Sequence, residues 1–348
     1  MKITGEQIQD KIIVSKLKDM GRLYNKSHFG TPSNGNKLKL DLLEAIFLLD
    51  EEKIHIFQNK KEISFSKLFN KAANQIPEFG KKYLAFKDLR RRGYAIRLYD
   101  KKKNVTFSKI DKKDDEGFFI SVFSERDLLD IKKTKELIED ICKGKNCLWF
   151  AIVDEEGDIT YYKVSSQNLK GKTKAYDYNK ISCILLENRA IIFDKKQSKL
   201  LFDKEFYGKP FGDGLQLSLV ETLFLHNLGI LDVYTCDNKK LSKSKLLEFV
   251  KNVQPDINMR LQVFNDLKKR GLIIKTGFKF GSHFRAYTGL PDKTHAEYLV
   301  HVVPGNFKDV WSEISRAVRL AHSVNKEIVF ACVSKNNIKY IGFGRLRP

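Results

Sequence analysis

The sequence predicts a mixed α/β (α+β) protein made by tandem duplication. Each repeat has a small helix-and-β N-terminal part, then a mixed-sheet C-terminal part flanked by helices. Two observations predict this. Three pairs of segments recur: LKLDLLEAIFLLD (38–50) with LQLSLVETLFLHN (215–227), DLRRRG (88–93) with DLKKRG (266–271), and WFAIV (149–153) with VFACV (329–333). Their offsets are 177, 178 and 180, a register held over more than a hundred residues, which chance similarity does not keep. Within each copy, helical apolar spacing gives way to strand-like runs, the order expected of a helical and β part preceding a sheet covered by helices.

The second copy shows the elements most clearly. Apolar spacing predicts a helix over 215–227, with Gly229 as its C-terminal stop. A second helix is predicted over 241–253, with Ser242 as N-cap, and a third over 259–270, ending at Gly271. After Gly271 the pattern changes: 272–275 and 297–303 read as strands. Over 311–324, Trp311, Ile314, Val318, Ala321 and Val324 share one helical face. Segments 328–333 and 338–346 read as closing strands, and the polar stretch 167–179 reads as the junction between the copies.

With 348 residues the chain exceeds one ordinary domain. Hydrophobic content of 42% and charged content of 31% fit a soluble globular protein. No apolar run approaches the roughly 18–20 residues that span a bilayer, and MKITGEQIQDKIIV lacks a secretory core. Cys142, Cys147, Cys183, Cys236 and Cys332 are scattered without CxxC spacing, so reduced core thiols in a cytoplasmic protein are expected rather than a zinc site. Lys+Arg 64 against Asp+Glu 43 gives +21, which favours a polyanionic partner: nucleic acid first, an anionic membrane surface second.

The copies differ in their polar residues. Between its first two predicted strands the second copy carries KTGFKFGSHFRAYTGLPDKTHAEYLV, the first RLYDKKKNVTFSKIDKKDDEGFFISV. Counting from the shared strands, Asp115 falls opposite His295, Asn146 opposite Lys326, and Phe107 or Ser108 near Tyr287. Taken singly, Tyr287 reads as a surface or core residue, His295 as a structural histidine and Lys326 as a solvated lysine. Together, and without counterparts in the other copy, they read as a site.

At these residues the chain resembles archaeal tRNA-splicing endonucleases of the two-repeat homodimeric type. DLKKRGLIIKTGFKFGSHFRAY, KTHAEYLVHVV and RAVRLAHSVNKEIVFACV are similar to that family's catalytic repeat, and FYGKPFGDGLQLSLVETLFL to its N-terminal part. The similarity covers nearly all of 180–348 and, more weakly, the first copy. It implies four parts: 1–82, the N-terminal part of a degenerate repeat; 83–172, a non-catalytic nuclease-like domain; 180–258, the N-terminal part of the catalytic repeat; and 259–348, the catalytic nuclease domain.

The resemblance further implies cleavage of precursor tRNA at a bulge–helix–bulge, giving 2′,3′-cyclic phosphate and 5′-hydroxyl ends without a metal or cofactor. By position Tyr287 matches the family's general base, His295 the general acid and Lys326 the stabiliser of phosphorane charge. A histidine titrates near neutrality and a lysine stays cationic. A tyrosine, titrating near 10, needs nearby cations to serve as a base, and Lys326, Arg285 and Lys279 are at hand in sequence. His322 also matches a family residue and reads as a helix-packing position; His283 stands where the family commonly has an acidic residue. Gly277-x-x-x-Gly281 fits no phosphate-loop fingerprint and reads as a tight turn.

The family clamps a bulge base between two arginines from the opposite subunit. Arg319 matches the first; Arg345, with Arg347 as the alternative, matches the second. Asp154, Glu155, Glu156 and Asp158 lie between two closing strands where the second copy has Ser334, Lys335, Asn336 and Asn337. The family uses that acidic loop as a plug in a basic cleft of the partner chain, which implies a homodimer. Two other functions compete. A metal-dependent restriction-type nuclease, with Pro291-Asp292 as its acidic motif, would need a nearby Glu-x-Lys that EYLVHVV does not supply. A non-catalytic RNA-binding subunit fits the first repeat alone but not the Tyr/His/Lys set of the second.

Overall fold

A computed structural model describes residues 2–99, 101, 104–109, 117–335 and 337–348. Asp115 and Asn336, used above in comparing the copies, lie outside the described residues. The chain forms two compact units: Met1–Asp127 with Glu139–Lys163 and Leu346–Pro348, and Leu128–Ile138 with Val164–Arg345.

In the first unit a six-stranded sheet runs in the order Thr31–Ser33, Lys37–Leu40, Lys11–Val14, Ile3–Ile8, Ile54–Gln58, Lys61–Glu62. Burial along Ile3–Ile8 alternates, as a strand with one covered face requires. The helix Leu42–Asp50 is buried over most of its length and starts in a capping box: Glu44 donates its backbone N–H to Asp41 Oδ1 at 2.8 Å, and Asp41 donates its own to Glu44 Oε2 at 3.1 Å. A second group of strands holds Phe118–Ser124 parallel to Cys147–Val153.

The second unit repeats the plan. Its N-terminal sheet runs Lys209–Phe211, Gly214–Ser218, Arg189–Ile192, Ile181–Leu185, Leu231–Tyr234. The parallel pairing of Ile181–Leu185 with Leu231–Tyr234 matches that of Ile3–Ile8 with Ile54–Gln58. The helix expected over 215–227 is shorter, Leu219–Asn227; Gly214–Ser218 is a strand. Leu215 and Leu217 point inward while Gln216 does not, and Ser218 caps the helix, so period two holds until the cap. Glu221 repeats the role of Glu44: Glu44 takes the N–H of Gly30 at 2.9 Å, and Glu221 takes that of Gly208 at 2.8 Å. Both glycines have positive φ, 74° and 61°.

Helices Lys243–Val253 and Ile257–Lys269 follow, and Ser242 accepts from the Lys245 N–H as N-cap. Gly271, at φ 77°, ends the second of them as expected. A sheet of Ile273–Thr276, Phe284–Tyr287, Tyr298–Pro304, Glu327–Ser334 and Asn337–Leu346 comes next. Phe284–Tyr287 is an additional strand inside the stretch read from sequence as a connection. Only the pair Tyr298–Pro304 and Glu327–Ser334 is parallel among these registers, and the helix Trp311–Ser323 provides the crossover. That helix buries Trp311, Ile314, Val318 and Ala321, four of the five residues expected on its face; Val324 is its half-buried C-cap. One core, including Leu223, Phe264, Leu267, Val300 and Val329, runs through the unit.

Candidate active site

Three pairings bring the site's strands to one end. Ile273 lies opposite Tyr287, Ala286 opposite Tyr298, and Tyr298 opposite Glu327. Tyr287 ends its strand, while Tyr298 and Glu327 begin theirs. His295 precedes Tyr298 by three residues and Lys326 precedes Glu327 by one. All three candidate residues therefore sit at the same end of the sheet, contributed by three chain segments.

Their environments differ. Tyr287 is buried against Ile273, Ala296 and the partly buried Phe206. His295 is exposed, on the loop residue next to Ala296. Lys326 is half-buried, and its Nζ donates to the Val324 carbonyl at 3.2 Å. Arg285 lies on the same strand face as Tyr287, two residues before it; its guanidinium stands 5.9 Å from the Tyr287 ring centre and 5.5 Å from that of Phe280. Lys326 Nζ is 5.7 Å from the same Phe280 ring. Phe280 thus has two cations against it, an arrangement that the ring quadrupole favours.

Glu297 joins these segments. Thr288 donates its N–H to Glu297 Oε2 at 3.0 Å and its hydroxyl to Glu297 Oε1 at 2.5 Å. The Glu297 carbonyl accepts from the Glu327 N–H at 2.9 Å. Glu297, Tyr298, His322, Asn325, Lys326 and Glu327 line a hollow of about 370 Å³. Burial, with Glu327 and Glu297 beside it, raises the Tyr298 phenol above its ordinary range. His322, expected as a helix-packing position, is instead exposed and lines this hollow; the buried face of its helix is already complete with Ala321 and Val318. Glu297 did not stand out in sequence, because an acidic residue at a strand start is common.

The turn at 277–281 is tight, as expected. Phe280 donates its N–H to the Gly277 carbonyl at 2.8 Å, and Gly281 has φ 61°. A Cβ at Gly277 would lie 2.2 Å from Ser282 Oγ. His283 is mostly buried: Nδ1 accepts from the Val302 N–H at 2.8 Å, its ring centre is 4.6 Å from that of His301, and Nε2 is 3.7 Å from Asp256. Burial, then His301 and Arg260, push its pKa down to about 4, against the pull of Asp256.

Arg319 is exposed on the helix Trp311–Ser323, and Arg345 is exposed on the strand Asn337–Leu346. In the first unit the acidic turn is organised by its own first residue: Asp154 Oδ1 accepts from the Glu156 N–H at 3.0 Å and the Asp158 N–H at 2.8 Å. Glu155 pairs with Arg126. Glu156 and Asp158 are exposed.

Register also refines the comparison between copies. Ser108 pairs with Phe119 as Arg285 pairs with Leu299, so Ser108 answers Arg285 rather than Tyr287. The position answering Tyr287 is then 110, outside the described residues. Cys147 donates its N–H to the Gly117 carbonyl at 3.0 Å, as Glu327 does to Glu297. Asn146 therefore answers Lys326, as expected, and Gly117 answers Glu297. Asn146 turns its side chain to the backbone, Oδ1 accepting from the Gly117 N–H at 3.1 Å.

Two copies of one fold define a class of duplicated α/β proteins, and the second copy brings Tyr287, His295 and Lys326 to one strand end. The tRNA intron endonuclease catalytic C-terminal domain matches residues 79–161 and again 257–340, and the tRNA intron endonuclease N-terminal domain matches 3–69 and 181–247. A tRNA-splicing endonuclease of Methanococcoides burtonii is 35% identical over 99% of this chain and 99% of its own length. One from Methanosarcina barkeri is 32% identical over 98% and 99%. A tRNA-splicing endonuclease of Hyperthermus butylicus is 34% identical over 96% of its length but 46% of this chain. The chain belongs to the tRNA intron endonuclease family and is an endoribonuclease of tRNA splicing.

Proposed function

We propose that this enzyme cuts precursor tRNA at bulge–helix–bulge motifs, using Tyr287, His295 and Lys326 on one scissile phosphate. Tyr287 takes the proton of a 2′-hydroxyl, whose oxygen attacks the adjacent phosphorus. The bond from phosphorus to the 5′-oxygen breaks, and His295 protonates that leaving oxygen. Lys326 meets the non-bridging oxygens of the crowded phosphorane. The products are a 2′,3′-cyclic phosphate and a 5′-hydroxyl. The observation that carries this reading is the shared strand end: Tyr287 opposite Ile273, and the segments of His295 and Lys326 tied through Glu297 and Glu327. Arg285, near the Tyr287 ring, adds positive charge beside the phenol.

In the same reading, Arg319 and Arg345 hold an unstacked bulge base in the site of a second copy. The acidic turn of one chain docks on the catalytic unit of the other, making a two-fold dimer. The reading is tested by incubating the protein with an intron-containing precursor tRNA in excess EDTA and determining the product ends. Cyclic phosphate and 5′-hydroxyl ends are expected, and His295→Ala should bind the RNA without cutting it. Loss of cleavage in chelator, 3′-hydroxyl ends, or full activity of His295→Ala would each overturn it.

A further inference from the structure

We propose that Glu297 is a positioning residue for this reaction, fixing the loop that joins the two members of the acid–base pair. The inference rests on the reading of Tyr287, His295 and Lys326 given above. Three bonds of Glu297 join its own segment, which carries His295, to the other two segments of the site. Its carboxylate takes both donors of Thr288, the residue after Tyr287, at 3.0 and 2.5 Å. Its carbonyl takes the N–H of Glu327, the residue after Lys326, at 2.9 Å. His295 lies two residues before it, across Ala296, which packs against Tyr287. Loop 288–296, which leaves Tyr287 and returns at His295, is therefore tied across its base by one side chain.

The first repeat shows that the fold does not need this carboxylate. Gly117 stands at the matching position and still receives the backbone bond from Cys147 at 3.0 Å. The backbone bond forms there with no side chain at the glutamate's position, so the sheet sets that bond and the glutamate adds the tie to Thr288. Each Glu297 oxygen takes one Thr288 donor, and the role assigned to the carboxylate is to hold the loop rather than to act on the phosphate. A charge-bearing acceptor makes a stronger bond than a neutral one, which suits it to hold a loop between two reacting groups.

Misplacing reacting groups by about an ångström costs up to about 100-fold in rate. Glu297→Ala should therefore lower kcat by about 10–100-fold with little change in KM for the precursor RNA. Glu297→Gln keeps one acceptor oxygen and should recover part of the loss, with the pH–rate profile keeping its shape. Thr288→Val removes the hydroxyl donor and should lower kcat less. The double variant Thr288→Val/Glu297→Ala should be no slower than Glu297→Ala, because both changes break one interaction.

Tyr287→Phe and His295→Ala run alongside as controls. If these two cut at the full rate, the catalytic reading itself fails. If they are slow while both Glu297 variants keep kcat, or if losses from Thr288 and Glu297 add, the positioning role is overturned. A loss confined to KM would overturn it as well. Thermal melts of Glu297→Gln verify that the variant compared is folded.

Discussion

The Tyr340 hydroxyl donates to Asp266 Oδ2 at 2.7 Å, and the Tyr161 hydroxyl donates to Asp88 Oδ2 at the same distance in the other repeat. In each copy an arginine four residues on, Arg270 or Arg92, also holds that aspartate, at 2.6 and 2.8 Å. Burial first, then the aspartate, raises both phenols above their ordinary range. The bond joins the helix before the sheet to a strand near its end, so the duplication preserved a tertiary tie as well as a hydrophobic pattern. Tyr340→Phe should lower the unfolding free energy by about 1.5–3 kcal/mol, the range for a hydrogen bond to a charged group. Urea denaturation measures it, and an unchanged midpoint would show that Arg270 alone satisfies the carboxylate.

Tyr287 separates chemistry from packing. Its ring rests on Ile273 and Ala296, contacts a phenylalanine keeps. Tyr287→Phe should leave the melting temperature nearly unchanged while slowing single-turnover cleavage by about 10²–10⁴-fold. Lys326→Met should slow it comparably, since the aliphatic stem is kept and the charge removed. Single-turnover rates at saturating RNA decide the matter; near-native rates in both variants would remove them from the chemistry.

His283 links stability to pH. Its folded pKa is about 4, below the ordinary 6.5, because burial and the neighbours His301 and Arg260 oppose a charge there. The unfolded chain takes up a proton as pH falls through 6.5, whereas the folded site resists until about 4. Its contribution is therefore fully present above 6.5 and is lost as pH falls towards 4, by about 1.4 kcal/mol per pH unit at most. His283→Asn keeps an acceptor near the Val302 N–H and cannot titrate, so its denaturation midpoint should depend less on pH in that window. Parallel pH curves for the two proteins would contradict the assignment.

The acidic turn gives a test of assembly. Asp154 is engaged by its own turn, so the charges free to meet a partner are those of Glu156 and Asp158. Glu156→Lys/Asp158→Lys should shift a dimer towards monomer in sedimentation velocity, and the shift should weaken at high salt. A variant with unchanged sedimentation would separate the turn from dimer formation.

The repeat itself, the helices after Ser242 and before Gly271, and the Trp311 helix face were legible because caps and apolar periodicity act within a few residues. Period failed where it changes inside one run: LQLS joined the helix of LVETLFLHN until Ser218 marked the boundary. Phe284–Tyr287 was missed as a strand because its inward and outward residues are masked by glycines and charges on either side.

The sequence by itself determined which residues differ between the copies, and so named Tyr287, His295 and Lys326 as a set. What only the tertiary structure decided is their common strand end, the exposure of His322 beside Lys326, the match of Ser108 to Arg285, and the tie from Glu297 to Thr288. Those depend on which strand pairs with which and in what register. Register is set by burial of one face across residues far apart in the chain, and local propensity carries no record of it.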